Sequence, residues 1–190
     1  MENTIIKKEA TSSIIDPKMI EVNWKKKLEL VKSIVAKNCS NEEFGLLVHL
    51  ASQYELDPLK REIWAVKYGV NPAQIFVSRD GFLSIAHKSG HFNGMETTFK
   101  EAIKPEDVTA TCTVYRNDME KPFVVTVHMK EYNTNMSVWK AKPRTMLQKV
   151  AESQALRRAF NVDGVYSPEE FDQTKDEEQR IKKVIIDVPA

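Results

Sequence analysis

The sequence predicts an α+β domain in which helices cover a small antiparallel β-sheet. The prediction depends on how the spacing of apolar residues changes along the chain. Towards both ends, apolar residues recur every three or four positions or fill an uninterrupted helical stretch, as in helices. Between residues 62 and 129 they mostly alternate with polar residues, which is the period of a half-buried strand. Strands of this kind with helices packed over them make an α+β class.

Two helices are predicted in the N-terminal part. The first begins with Asp16 as N-cap and Pro17 in the first turn. Its apolar stripe consists of Ile20, Trp24, Leu28, Val31 and Val35. The second begins at a capping box, in which the Ser40 oxygen accepts the Glu43 N–H and the Glu43 carboxylate reaches back. We expect these two helices to form one layer of the domain.

Five strands and a third helix follow. Residues 62–68 and 74–78 form a predicted hairpin, after which Asp80 is expected to cap a helix. Three more strands are predicted at 95–100, 108–115 and 123–129, the last two joined by a loop at 117–122. An antiparallel meander with one covered face should result.

The stretch from Trp139 to Phe160 combines a helix signal with most of the unbalanced charge. Pro143 suits a first helical turn, and neither Gly nor another Pro follows before Phe160. The whole chain has 28 basic and 27 acidic residues, whereas this stretch has six basic residues and one acid, Glu152. The basic residues are Lys140, Lys142, Arg144, Lys149, Arg157 and Arg158. Apolar residues surround most of the helix, so we expect protein to cover it on more than one side.

Two interpretations of this basic helix are open. Its arginines either pair with carboxylates elsewhere in the chain and reach for water, or line a groove that receives phosphates. Trp139 likewise either stacks on a nucleic-acid base or wedges between the helix and the sheet.

Composition narrows the class of protein. A chain of 190 residues with 42% hydrophobic residues suits one domain with one core. Because it has neither a signal peptide nor an apolar run of about 20 residues, we expect a soluble, intracellular protein. Cys39 and Cys112 lack metal-ligand spacing, so we expect both to be reduced and buried. The predicted division is a flexible arm at 1–15, one α+β domain at 16–172 and a frayed polar tail at 173–190.

Four segments at matching spacing resemble one known family. They are QYELDPLKREIWAV at 53–66, VSRDGFLSIA at 77–86, W-x3-PRTMLQKVAESQALRRAF at 139–160 and GVYSPEE at 164–170. Together, across residues 28 to 170, they resemble the Bet (Redβ) branch of the phage RecT/Redβ-type single-strand annealing proteins. The resemblance implies helices around a small antiparallel sheet, with DNA lying in a basic groove along an oligomer.

The resemblance also implies an activity without bond chemistry. Such a protein binds single-stranded DNA, pairs complementary strands without ATP during phage recombination, and assembles into rings or helical filaments. No cofactor is expected, with Mg²⁺ at most assisting. The implied partners are single-stranded DNA, the annealed duplex intermediate, further copies of the chain, a phage 5′–3′ exonuclease and the host single-strand-binding protein. The implied location is the cytoplasm of a bacterial host, away from any membrane, with the gene carried by a phage or prophage.

The resemblance assigns DNA-contacting positions residue by residue. Arg144, Gln154 and Arg157 match groove positions that contact the DNA backbone, and Arg61 and Trp139 match further positions. Val150 stands where the family often has a basic residue, so the neighbouring Lys149 is the candidate for that charge. The full predicted set is Arg144, Lys149, Gln154, Arg157, Trp139, Arg61, Lys140 and Lys142.

Two other functional classes remain open. In a metal-dependent nuclease, Asp57, Glu62 and Asp80 could hold Mg²⁺, although no D…E-x-K spacing supports this. In a protein-interaction scaffold, the basic helix would bind an acidic partner. No catalytic residue and no metal ligand is assigned.

Overall fold

Residues 24–170 are the part of the chain that the computed structural model describes. The predicted arm at 1–15, the predicted tail at 173–190 and the proposed cap at Asp16 therefore lie outside the described residues. Within them the α+β class is confirmed, with helices packed around two small antiparallel sheets. No helix among residues 24–170 is long and apolar enough to span a lipid bilayer.

The first predicted helix is interrupted. A single 3₁₀ turn, Trp24–Lys26, precedes helix α1, Leu28–Val35, and Lys27 between them has non-helical angles of φ −128° and ψ 42°. The break lets Trp24 turn into the core, where it is buried with Val31 and Val35. Leu28, which was predicted to share their stripe, is instead exposed at the start of α1.

The predicted capping box of helix α2, Asn41–Gln53, is confirmed. Ser40 Oγ accepts the Glu43 N–H at 3.2 Å, and the Ser40 N–H donates to Glu43 Oε2 at 2.7 Å. The same carboxylate accepts Lys67 Nζ at 2.9 Å and the Ala73 N–H at 3.0 Å. These hydrogen bonds, that from Lys67 foremost, lower the pKa of Glu43 to about 2. The Glu43 carboxylate that caps α2 therefore also binds both ends of the loop between the first two strands.

Strands β1, Ile63–Val66, and β2, Gln74–Val77, pair antiparallel as the predicted hairpin. Helix α3, Arg79–Lys88, begins directly after β2, but the prediction of Asp80 as its N-cap is wrong. Ser78 is the cap: its backbone is extended, and its hydroxyl accepts the Gly81 N–H at 2.9 Å. Asp80 already lies in the first helical turn and pairs with Arg79.

Three longer strands form a second, separate sheet. Strands β3, Phe92–Lys100, β4, Thr109–Arg116, and β5, Phe123–His128, lie in the order β3-β4-β5 with both pairs antiparallel. Ala110, Cys112 and Val114 face the core, so the predicted alternation is confirmed. Both cysteines, Cys39 and Cys112, are free thiols buried in the core.

A 17-residue helix covers the inner face of this sheet. Two short helices, α4 at Met129–Tyr132 and α5 at Ser137–Ala141, lead to α6 at Pro143–Ala159. Helix α6 packs on β4 and β5 and also contacts α3, so it is covered on more than one side. Its buried residues are Leu147, Val150, Ala151, Glu152, Ser153, Ala155, Leu156 and Ala159.

Glu152 is the buried charged residue of α6 and is fully hydrogen-bonded. Its carboxylate accepts Gln148 Nε2 at 2.7 Å, Thr97 Oγ1 at 3.1 Å and Arg79 Nη1 at 3.1 Å. These donors come from α6 itself, from β3 and from α3. The carboxylate therefore joins α6 to the sheet and to α3, and its burial is compensated by the three donors.

Replacing Gly81 with Ala should destabilise the protein. A Cβ at this position would lie 2.5 Å from the Glu62 carbonyl oxygen and 2.8 Å from Val77 Cγ1, both held by the hairpin. We expect the free energy of unfolding to fall by about 1–3 kcal/mol, because the packing must shift to accept the methyl group.

Gly45→Ala is the matched control. Gly45 lies inside α2, where an added Cβ meets nothing within 4 Å. Here we expect stabilisation of about 0.5–1 kcal/mol, the usual gain of Ala over Gly in a helix. Denaturant unfolding measures both changes, and equal effects of the two substitutions would contradict the assignment of Gly81 to a tight contact.

Candidate nucleic-acid interface

The junction between α5 and α6 brings three predicted site residues together. Lys140 and Lys142 are exposed there, and within residues 24–170 neither ammonium group has an ion-pair or hydrogen-bond partner. Arg144 follows in the first turn of α6, which Pro143 begins. No side chain caps that turn in the described structure, so the positive end of the helix dipole adds to these charges.

Arg144 is held loosely and in the open. Its guanidinium pairs with Glu101 and lies 4.4 Å from the centre of the Phe99 ring. The Arg144 and Glu101 side chains are 55% and 62% exposed. An ion pair this exposed contributes at most about 1 kcal/mol, so a phosphate could replace Glu101 at small cost.

Lys149 and Arg157 lie farther along α6 and face the last described segment. Lys149 Nζ pairs with Glu169 Oε1 at 3.3 Å, and Arg157 Nη2 pairs with Glu170 Oε2 at 3.2 Å. Both carboxylates are largely buried and belong to the 3₁₀ turn Pro168–Glu170. For these two residues the carboxylate-pairing interpretation of the basic helix describes the structure.

Arg157 makes the more extensive contact. Its Nη1 also donates to the Val165 carbonyl at 3.2 Å, and its guanidinium lies 4.8 Å from the centre of the Tyr166 ring. Three buried side-chain oxygens, one on α6 and two in residues 167–169 beside it, have no hydrogen-bond partner among residues 24–170. They are Ser153 Oγ, Ser167 Oγ and Glu169 Oε2. The contacts of the Arg157 guanidinium with Val165, Tyr166 and Glu170 hold the chain after α6 in place.

Gln154 and Trp139 are engaged inside the domain. Gln154 Nε2 donates to the Tyr132 hydroxyl at 2.7 Å, which links α6 to α4. Trp139 is 7% exposed and belongs to the hydrophobic core. The structure therefore agrees with the interpretation in which Trp139 packs inside the protein, because a ring buried this way has no face free for a base.

Arg61 belongs to another part of the surface. It follows the 3₁₀ turn Pro58–Lys60, is exposed, and lines a cleft together with Lys37 and Trp64. Sequence reasoning missed Lys37 and Trp64. The available signal was the alternation of β1, which turns Trp64 away from the buried face.

The carboxylates considered for a nuclease have other roles here. Asp57 Oδ1 accepts the Leu59 N–H at 2.8 Å, and Glu62 Oε2 accepts the Asp57 N–H at 2.8 Å. Asp80 pairs with Arg79 at 2.6 Å. Within the described part of the chain, no three His, Cys, Asp or Glu side chains are arranged to hold a metal ion.

Comparison with known proteins supports the resemblance seen in the motifs. The family model described as the RecT family matches residues 23–184. The chain is 30% identical over 146 residues to "Recombination protein bet" of Escherichia phage lambda, a match that covers 72% of this chain and 54% of the lambda protein. It is also 25% identical over 147 residues to "Uncharacterized protein UU154" of Ureaplasma parvum serovar 3, covering 75% of this chain and 67% of that protein.

The match spans about half the length of the lambda protein. The family model covers all the described elements, from the turn Trp24–Lys26 to the turn Pro168–Glu170, and therefore all four motifs. By its motifs and by the family model, which matches most of its residues, this chain belongs to the RecT family.

Proposed function

We propose that this chain binds single-stranded DNA and anneals complementary strands without ATP. The observation that carries the proposal is the exposed basic junction of α5 and α6, formed by Lys140, Lys142 and Arg144 in a RecT-family chain. Cations grouped this way neutralise successive phosphates and release their counterions. Contacts to the DNA backbone leave the bases unread and free to test pairing.

Annealing of this kind requires that two strands are held close together, and no covalent bond is made or broken. Stacking of newly formed pairs provides about 1.4 kcal/mol per step, so two held strands pair without an energy source. A few phosphate contacts on one subunit bind weakly, whereas repetition along a ring or helical filament multiplies them. We therefore include a homo-oligomer in the proposal, acting in recombination in the host cytoplasm, with a phage exonuclease and the host single-strand-binding protein as candidate partners. Mg²⁺ is at most an aid.

A second candidate function is an interaction scaffold for an acidic partner. It is favoured by two ion pairs, Lys149 with Glu169 and Arg157 with Glu170, because they show that cations of the basic helix bind carboxylates. The same pairing implies that phosphates reach these two cations only in exchange for the glutamates. The first contacts should therefore form at Lys140, Lys142 and Arg144.

Strand annealing is tested directly with two complementary labelled oligonucleotides. Added one after the other to the purified protein without ATP, they should pair faster than in buffer and stay in one large complex. A pair of non-complementary strands controls for aggregation, and intact strand length in Mg²⁺ excludes a nuclease. Unaccelerated pairing at low salt, with strands unbound, would favour the scaffold.

Charge removal at the α5–α6 junction should change the salt dependence of binding. In the variant Lys140→Gln/Lys142→Gln, the slope of log K against log salt should become shallower by about 1.4, or about 0.7 for each lost phosphate contact. The control variant Lys26→Gln/Lys121→Gln loses the same charge from two exposed lysines elsewhere. An equal change in both variants would mean that net charge, and not this junction, determines binding.

Arg157→Ala should lower stability as well as DNA binding. The substitution leaves the nearly buried Glu170 carboxylate and the Val165 carbonyl without this donor, so we expect a loss of about 1–3 kcal/mol in unfolding free energy. Binding should weaken for all sequences alike, measured at a temperature where the variant is folded. The control is the exposed neighbour, Arg158→Ala, which should change stability by less than about 0.5 kcal/mol. Wild-type stability of Arg157→Ala would rule out a structural role of the pair.

A further inference from the structure

A cleft lies between the end of α1 and the β1-β2 hairpin. Its volume is about 480 Å³, which is within the usual range for small-molecule sites. We name it the hairpin cleft. The side chains that matter for its chemistry are Ile34, Lys37, Asn38, Arg61, Trp64 and Lys67.

The cleft has a surplus of positive charge. Three cations line it, but Lys67 is neutralised by Glu43 at 2.9 Å. Lys37 and Arg61 are exposed, and in the described part of the chain neither side chain has an ion-pair or hydrogen-bond partner. Two cations at one concave site with no carboxylate of their own favour an anionic ligand.

The backbone at the cleft is unusual at two positions. Asn38 has φ 62° and Arg61 has φ 58°, both in the left-handed region that L side chains rarely adopt. The Arg61 conformation is kept by its N–H, which donates to the Pro58 carbonyl at 3.0 Å. Arg61 adopts this conformation as the residue that ends the turn Pro58–Lys60, a common place for it, and the turn thereby fixes the start of the Arg61 side chain at the cleft.

Trp64 gives the cleft an aromatic wall. Of the three tryptophans in the chain, Trp24 and Trp139 are buried, whereas Trp64 is partly exposed and lines the cleft. Its cross-strand partner is the buried Phe76, whose ring centre lies 6.1 Å away at an angle of 41°. The indole therefore packs beside Phe76 of the hairpin and in part faces the cleft. Ile34 adds apolar surface beside it.

We propose that the hairpin cleft binds one nucleotide unit of a single strand, with the base against Trp64 and the phosphate at Arg61 and Lys37. The inference rests on the proposed function and adds a base-binding site apart from the α5–α6 junction. Stacking on an indole tolerates any base, since every base offers a π-face. One nucleotide of the bound strand would therefore leave the row of its neighbours and enter the cleft, whatever its base.

Tryptophan emission tests the proposal, because Trp64 is the indole that a base can reach. Titration with oligothymidylate should quench the emission, and Trp64→Phe should abolish the quenching while binding of labelled DNA stays within a few-fold of wild type. Trp64→Leu, which removes the stacking surface, should bind about 5- to 150-fold more weakly. Unchanged emission of the wild-type protein at saturating DNA would overturn the proposal.

The phosphate half has its own variant. Lys37→Gln/Arg61→Gln should make the salt slope shallower by about 1.4 and reduce the quenching at a fixed DNA concentration. The Lys26→Gln/Lys121→Gln variant should do neither. Both exchanges affect exposed side chains, so thermal unfolding should match wild type and serves as the check on folding. A wild-type salt slope for Lys37→Gln/Arg61→Gln would contradict the proposal that the cleft binds a phosphate.

Two ligands separate the possible sources of the nucleotide. An abasic oligonucleotide of the same length should bind without quenching, and thymidine monophosphate should quench only at far higher nucleotide concentration than the strand. Equal quenching by the mononucleotide would overturn the strand assignment in favour of a free nucleotide. Accelerated annealing with no Trp64 response would refute the cleft alone, whereas no binding of any single strand would refute the proposed function itself.

Discussion

The packing of α6 across the β3-β4-β5 sheet is the constraint on which the rest of the structure depends. Its apolar residues fill the space between the sheet and α3, and Glu152 is carried inside with them. That carboxylate is tolerated because α6, β3 and α3 each supply it with one donor. Since the middle of α6 is committed to the core, its remaining polar side chains reach the surface mainly at its two ends and along its edges.

The two ends of α6 have different electrostatic environments. At the N-terminal end, Lys140 and Lys142 are unpaired within residues 24–170, and Arg144 has only an exposed carboxylate beside it. In the middle and in the last turn of α6, Lys149 and Arg157 are compensated by glutamates that are largely buried. A segment with a strong formal positive charge therefore presents an uneven field, concentrated where the helix begins.

Local signals predicted the elements, and non-local contacts decided what the sequence left open. Alternation identified all five strands, and the Ser40 capping box was correct because both of its hydrogen bonds lie within four residues. The meander of the last three strands is confirmed, but alternation does not encode strand partners and so did not show that the hairpin forms a second sheet. Ser78 and Asp80 are both capping residue types, and only backbone geometry chose Ser78. The pairing of Lys149 with Glu169 and the burial of Trp139 depend on tertiary packing, which no local pattern shows.

The chain after α6 joins parts of the domain that share no strand. The Tyr54 hydroxyl at the end of α2 accepts the Asp163 N–H at 2.9 Å, and the Val77 N–H of β2 donates to the Tyr166 carbonyl at 2.9 Å. Together with the Arg157 contacts, these bonds make the chain after α6 a link between the β1-β2 hairpin and the β3-β4-β5 sheet with its covering helix. Cooperative unfolding follows from this link. While it holds, the amide hydrogens of the hairpin and of the sheet exchange in one opening event, and once it has opened they would exchange independently.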